Sequence, residues 1–312
     1  MKNESLLQNL ECQFDFSIDR KLETQYYHMQ TQIIHIGFDG KRTGTETYSL
    51  KLRDIPAALS EKKLDQCTVK EFGLQLNSEN IVTIPVLKSW SYEFNKMSGI
   101  LDKGPVFGIP HDKFEGISDS KGNKLSSEFC YAIYNNFIDF HALNDIFSRP
   151  FFGKGIDALK LIGDKIVHPA AFSEAPVNLG ATIKPGSVFR NGEVTLEFKG
   201  VGIVDGAVCA IIGYDSGEST LKMAVKSSEN KYIETEGGSE YKGDIYMDLE
   251  TGWVRKITLD EFVVTETDDG NNPAKIKSYT LRHLLLRLTN QQEFEKESDL
   301  LTTGFNTENR KS

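Results

Sequence analysis

Hydrophobic and polar residues alternate along much of the second half of the chain, as they do in β-strands with one buried face. The clearest case follows Gly252, where odd positions carry Trp253, Ile257, Leu259 and Val263 and even positions carry Lys256, Thr258 and Asp260. This alternation predicts a strand with one dry face that covers an interior. A packed core is the expected content of that interior, and a ligand cavity is the alternative.

Asp-Gly pairs separate several of the apolar runs. Asp39-Gly40 lies between two β-rich runs in the first half, and Asp205-Gly206 lies between two in the second. Such pairs favour tight hairpins because Gly and Asp adopt positive φ at little cost. The pattern predicts an α+β, β-rich fold with curved antiparallel sheets, open barrel-like, and a few helices. Two similar halves are one form that this fold could take.

Two segments near residues 126–167 have helical spacing instead. Phe129, Ile133, Phe137 and Phe140 follow at intervals of four, four and three, and Ser126 or Ser127 can cap the N-terminus. In GKGIDALKLIGDKI, residues 153–166, one side carries Ile156, Leu159, Ile162 (or Leu161) and Ile166, and Pro169 follows shortly after. We therefore predict two helices in this region.

These patterns divide the chain into four parts. Residues 1–168 form an N-terminal β-rich half with its helices near 126–167, and residues 188–290 form a C-terminal antiparallel β half. Residues 169–187 are rich in proline and glycine and show little periodicity, which is typical of a linker. Residues 291–312 are polar, and we expect a flexible tail there.

The composition narrows the class of protein. The chain has 312 residues, of which 39% are hydrophobic and 26% charged, as in ordinary soluble globular proteins. A net charge of -9 without a dense Lys/Arg run argues against a nucleic-acid partner.

No run is long and apolar enough for a transmembrane segment. No signal peptide is visible, so the sequence as written predicts a cytoplasmic protein, or a periplasmic or secreted one if a signal has been removed.

Four widely spaced cysteines, Cys12, Cys67, Cys130 and Cys209, include no Cys-x-x-Cys pair. This spacing excludes a zinc ribbon and a thioredoxin-type motif as sequence-based assignments. Cys130 and Cys209 lie in apolar runs and are expected to be small buried residues. An even number of cysteines also permits two disulfides in an oxidising compartment.

The sequence contains no recognisable catalytic or phosphate-binding motif, and we expect no cofactor. Four residues form the one specific candidate for a metal site, and they could meet only in space: His111, Asp112, Asp139 and His141. Surface or capping roles are the commoner use of such residues, so no metal is the expectation.

Aromatic residues on β-rich segments are the remaining candidates for a binding site. The candidate ligand-binding residues are Tyr26, Trp90, Tyr92, Phe94, Tyr246 and Trp253. Concave sheets lined by such side chains can form apolar ligand cavities. Filling a core is the commoner role of aromatic residues, and this alternative stays open.

The region from Gly192 to Leu288 resembles the LolA-like superfamily of bacterial lipoprotein carriers. The resemblance rests on its long antiparallel strands and on GDIYMDLETGWVRKITLDEFV, in which an Asp-containing turn with Gly precedes an amphipathic strand. It implies a curved sheet folded over helices, with acyl chains or another apolar ligand on the concave side. No functional residue of the family maps onto a matching position of this sequence.

Three functions follow from these observations. The first is a non-enzymatic binding or carrier protein that shelters an apolar small molecule, a lipid or a partner segment in a curved sheet. The second is an assembly protein that pairs through exposed sheet edges. The third is an enzyme with a scattered site around His111 and His141. The sequence leaves the oligomeric state open.

Overall fold

A computed structural model of the protein describes residues 13–16, 19–61, 63–98, 105–147, 154–168, 173–174, 179–228, 231–270 and 274–296. Most of these residues belong to strands of one sheet. The strands are β1 (Gln25–Gly37), β2 (Arg42–Ile55), β3 (Gln66–Leu76), β4 (Val82–Thr83), β5 (Ser91–Glu93), β6 (Lys165–His168), β7 (Ser173–Glu174), β8 (Val188–Arg190), β9 (Val194–Val204), β10 (Ala207–Asp215), β11 (Ser219–Ser228), β12 (Lys231–Asp248), β13 (Val254–Asp268) and β14 (Ile276–Thr289).

The helical elements are few and short. Helix α1 (Ser127–His141) continues into a π-helical turn (Ala142–Ile146), and α2 (Gln291–Glu295) follows β14. Single 3₁₀ turns cover Pro85–Leu87, Val106–Gly108, His111–Phe114 and Ile156–Ala158. In the part of the chain that the structure describes, no helix combines the length and the apolar character that crossing a bilayer requires.

The main path of the sheet is β4-β3-β2-β1-β14-β13-β12-β10-β9-β6. Beside it, β5 pairs with β3, β11 pairs with β12 and β8, and β7 pairs with β8. The strand pairs are antiparallel, and β4 and β6 at the ends of the path do not pair with each other within the described residues. The sheet is therefore open, which confirms the predicted fold class.

The sheet curves around α1, which fills the inner face. Thr31 of β1 donates a hydrogen bond to Asn136 of α1, with 2.7 Å between the side-chain oxygens. The rings of Phe72 in β3 and Phe137 in α1 stack with their centroids 6.0 Å apart. From β14, Arg282 forms an ion pair with Asp139 of α1. These contacts make the inner face a packed core along the length of the helix.

Several sequence predictions are confirmed by local geometry. Helix α1 begins after Ser126, whose hydroxyl accepts a hydrogen bond from the backbone N–H of Phe129. The two Asp-Gly pairs form the turns of the β1–β2 and β9–β10 hairpins, where Gly40 and Gly206 have φ of 76° and 80°. The odd positions of β13 face the interior at Ile257 and Leu259, as the alternation predicts.

The cysteines agree with their predicted burial. Cys130 and Cys209 are both buried, as is Cys67, and these three form no disulfide. Cys12 lies outside the described residues.

The predicted helix over 153–166 is wrong. The described part of this segment contains one 3₁₀ turn followed by β6, which pairs with β9. Gly163 has a φ of 90°, which ends any right-handed helix, and its N–H donates to the carbonyl of Phe198 in β9. Leu161 and Ile162 are exposed, so the apolar pattern did not describe one buried helical face.

The expected flexible tail over 291–312 also needs correction in its described part. Asn290 caps α2 through a hydrogen bond from the N–H of Glu293, with 2.9 Å between the atoms. The ring of Phe294 is buried and contacts Tyr26 of β1, with 5.0 Å between centroids. Residues 291–296 are thus docked on the sheet, and the rest of the predicted tail lies outside the described residues.

The predicted linker over 169–187 lies partly outside the described residues, and the division of the chain there stays a prediction. Strands from both sides of it belong to one sheet, because β1 pairs with β14 over twelve residue pairs from Tyr26↔Thr289 to Gly37↔Ser278. The core is likewise shared by side chains from both sides.

Candidate functional site

A cleft of about 1080 Å³ opens at one end of the sheet. It is bordered by the segment before β1, the loop after β2, β5 with the residues that follow it, the π-helical turn and the start of β13. Known small-molecule sites have volumes of roughly 300–1,000 Å³, so the cleft has room for such a ligand.

The cleft is lined by both apolar and charged side chains. Its apolar side chains are Leu22, Pro56, Leu64, Phe94, Met97 and Trp253. Its acidic side chains are Asp19, Asp54, Asp65, Glu93 and Asp145, against the basic Arg20, Lys63 and Lys96. The lining is therefore amphipathic, with more carboxyl groups than cations.

A chain of hydrogen bonds lies beneath the floor of the cleft. The hydroxyl of Tyr92 is 2.7 Å from Nε2 of His141, and Nδ1 of His141 is 2.8 Å from a carboxylate oxygen of Asp145. An ionised carboxylate only accepts, so Nδ1 donates to Asp145; in a neutral imidazole, Nε2 then accepts from Tyr92. All three side chains are nearly or fully buried. Such a satisfied network fixes the floor rigidly.

Arg20 ties the segment before β1 to this network. One of its terminal nitrogens donates to Asp145 and the other to the carbonyl of Asn144, each at 2.7 Å. Its guanidinium lies over the ring of Trp253, 4.6 Å from the centroid. The indole N–H of Trp253 donates to the carbonyl of Lys21 at 2.9 Å. One wall of the cleft is thus held by charge, stacking and hydrogen bonds together.

Local structure explains why these groups meet. His141 is the last residue of α1 and Asp145 lies four residues later in the π-helical turn, so both side chains reach the same side. Tyr92 is brought to them by the β3–β5 pairing, in which it lies opposite Cys67. The ring of Phe94 stacks on His141 with 4.3 Å between centroids.

Two carboxyl groups of the cleft have opposite pKa shifts. Burial works against ionisation of Asp145, but attraction to Arg20 and the hydrogen bond from His141 outweigh it and lower the Asp145 pKa. Burial, and then repulsion from Asp145, raise the Asp54 pKa to about 8 despite the attraction of Arg20. The Asp54 side chain accepts no hydrogen bond from the described residues. One acid is therefore fixed as an anion and the other holds a proton near neutral pH.

The structure brings three of the six predicted ligand-binding residues to this cleft: Tyr92, Phe94 and Trp253. The other three lie elsewhere. Trp90 packs in the core, with its ring 5.7 Å from those of Phe114 and Phe137. Tyr26 contacts α2, and Tyr246 lies beneath the ammonium of Lys256.

The four candidate metal ligands are engaged separately. Both ring nitrogens of His141 are hydrogen bonded within the network, whereas Asp139 pairs with Arg282, which also binds Glu261 at 2.6 Å. His111 and Asp112 lie in a 3₁₀ turn, where burial lowers the pKa of His111. Among the described residues, no three His, Cys, Asp or Glu side chains could hold a metal ion together.

Sequence reasoning missed Arg20, Asp54 and Asp145. The spacing of four between His141 and Asp145 was a usable signal, because on a helix it places a histidine and a carboxylate side by side. Arg20 and Asp54 carry no such signal, since their neighbours in space are distant in the chain.

Comparisons with known proteins add little to this description. No family model matches the chain, and no curated protein matches it. Among solved structures, the chain is similar to the loop L8 deletion mutant of OmpT, an outer membrane protein of Vibrio cholerae. That alignment has 9% identity, covers 85% of this chain and 99% of the other, and has a TM-score of 0.17. A similarity of this size carries no argument about fold or function.

Proposed function

We propose that the protein is a non-enzymatic binding protein that holds a small amphiphilic molecule in the cleft between β2, β5 and Trp253. The observation that carries the proposal is an amphipathic cleft of about 1080 Å³ whose floor is fixed by the network of Tyr92, His141 and Asp145. A rigid, preformed site loses little entropy when a ligand binds.

The apolar and acidic side chains that line the cleft suggest how such a ligand is oriented. Its apolar body would contact the side chains of Leu22, Phe94 and Trp253. Its polar group would face the carboxyl groups of Asp54 and Asp145. Burial of the apolar body supplies affinity, and the polar group fixes its orientation.

The cleft is a better candidate than the inner face of the sheet. Helix α1 fills that face with Phe137 and Phe140, both fully buried. The resemblance of the region from Gly192 to Leu288 to lipoprotein carriers supports the same class of function, the binding of a partly apolar molecule. It does not support the same position for the ligand, because the concave side is occupied here.

Native mass spectrometry of protein purified gently from its own host tests the proposal. We expect a small molecule bound to the wild type and released on denaturation. Ala57→Trp places an indole in the cleft and should abolish this bound mass, because Ala57 lines the cleft. Ala58→Trp is the matched control, since Ala58 is exposed and does not line it.

Two results would contradict the proposal. One is a wild-type chain without any bound molecule, and a ligand-free multimer of fixed stoichiometry would then favour the assembly alternative. The other is a ligand that Ala57→Trp retains as fully as Ala58→Trp does, which would place the binding site elsewhere.

A further inference from the structure

Asp54 is an acid of the cleft that is largely buried but accepts no hydrogen bond from the described residues. The residue is 7% exposed and lies at the end of β2, where it lines the cleft. Nothing in the described residues donates a hydrogen bond to its side chain. The Asp54 oxygens are not among the fully buried side-chain atoms without a partner, so they are open to the cleft, where a donor from outside the protein can reach them.

Arg20, the cation that attracts the Asp54 carboxylate, does not donate a hydrogen bond to it. Arg20 directs its two terminal nitrogens at Asp145 and the carbonyl of Asn144, and it forms no ion pair with Asp54 within 4.0 Å. Asp54 thus faces a cleft of ligand size with a carboxyl group to which no described residue donates a hydrogen bond. An acceptor in that position suits a donor that arrives with the ligand.

We propose that Asp54 selects ligands with a cationic hydrogen-bond donor, an ammonium or guanidinium group, from which its carboxylate accepts hydrogen bonds. The inference rests on the proposed function, because it names the chemical class of ligand for the same cleft. The carboxyl O–H bond breaks, the proton leaves to solvent, and the carboxylate accepts hydrogen bonds from the cation.

The surroundings of Asp54 account for the exchange. Six titratable or charged groups interact electrostatically with its carboxyl group: Arg20, Tyr27, Asp65, Cys67, Tyr92 and Asp145. Of these, Asp145 repels the ionised form most strongly and Arg20 attracts it, and with burial they leave the pKa of the empty site at about 8. A bound cation adds a second attraction and lowers that pKa, so binding at neutral pH releases a proton.

Isothermal titration calorimetry with n-octylamine tests the inference, with n-octanol and octanoate as neutral and anionic ligands of the same chain length. We expect octylamine to bind most tightly. Its binding should release about one proton at pH 7, measured by repeating the titration in two buffers of different ionisation enthalpy. Its affinity should rise by nearly tenfold per pH unit from about pH 6 to pH 8 and then level off.

Asp54→Asn should weaken octylamine binding by about tenfold or more and abolish proton release, because an amide cannot ionise. Asp157→Asn removes an exposed carboxyl group that does not line the cleft and should change the affinity by less than about threefold. If Asp54→Asn does not fold, proton release by the wild type decides the question.

The outcomes separate the two proposals. If none of the three ligands binds the wild type and no endogenous ligand is found, the proposed function fails and the inference falls with it. If octanol or octanoate binds as tightly as octylamine, or if octylamine binds without proton release, the cleft still binds amphiphiles but Asp54 does not select a cation.

Discussion

At the scale of single residues, the floor of the cleft shows how buried polar groups are kept. Hydrogen bonds join Tyr92 to His141, His141 to Asp145, and Asp145 to Arg20, and these bonds offset part of the cost of burying the four groups. Asp54, which lines the same cleft, accepts no side-chain hydrogen bond from the described residues. An acceptor that lines the cleft and receives no hydrogen bond from the described residues is available to a bound ligand.

The raised pKa of Asp54 predicts a specific dependence of stability on pH. The carboxyl group has a pKa of about 8 in the folded protein, against an ordinary value of 3.8. Between these values the folded state binds more protons than the unfolded state, so the free energy of unfolding falls as the pH rises. The loss from this group is about 1.4 kcal/mol per pH unit between about pH 4 and pH 8.

Urea unfolding of the wild type and Asp54→Asn across this range measures the effect. The variant should lack that part of the pH slope and should exceed the wild type in stability most clearly near pH 8. Asp19→Asn, at an exposed carboxyl group, should follow the wild type. Parallel curves for the wild type and Asp54→Asn would show that the Asp54 carboxyl is not desolvated in the folded protein.

At the scale of elements, sequence patterns predicted the helices and strands whose conformation depends on neighbouring residues in the chain. Helix α1 was predictable because Ile133, Phe137 and Phe140 repeat with helical spacing and Ser126 caps the first turn. The segment 153–166 has a similar pattern, but Gly163 adopts a positive φ and β6 gains hydrogen bonds by pairing with β9. That pairing is tertiary, and a local pattern does not contain it.

Helix α2 could not be predicted for the same reason. Its single buried residue, Phe294, gives no periodicity in a polar segment. Burial comes from Tyr26 of β1 and from Lys70 of β3, whose ammonium lies 5.5 Å from the centre of the Phe294 ring. The contact joins the end of the described chain to two strands near its beginning.

Replacing this ring tests whether α2 is docked in solution. Phe294→Ala should lower the free energy of unfolding by about 3 kcal/mol, within the range for truncation of a buried aromatic side chain. Gln292→Ala, on the exposed side of the same helix, should change it by less than about 0.5 kcal/mol. Chemical denaturation measures both, and equal small effects would support a frayed segment instead.

At the scale of the whole molecule, one sheet joins parts of the chain that sequence reasoning kept apart. Strands β1 and β14 are adjacent although more than two hundred residues separate them. Pairing over that distance leaves no local signal, so the strands could be predicted but their order could not. The cleft depends on this order, because Asp54, Asp145 and Trp253 come from three distant segments.

A shared sheet predicts that the molecule unfolds as a unit. Trp90 and Trp253 lie on opposite sides of the predicted linker, and each can report alone in the variants Trp253→Phe and Trp90→Phe. We expect their fluorescence transitions in urea to coincide when each variant is also followed by circular dichroism. A tryptophan signal that changes well before the circular dichroism signal would show that one half unfolds independently.

At this scale, we propose above all that the cleft beside Trp253 binds a small amphiphile. The most direct test is a high-resolution crystal structure of protein purified from its own host with no ligand added. We expect electron density for a molecule between Phe94 and Trp253 with a polar group within hydrogen-bonding distance of Asp54. A cleft that contains only ordered water, in protein that carries a bound molecule at another position, would contradict it.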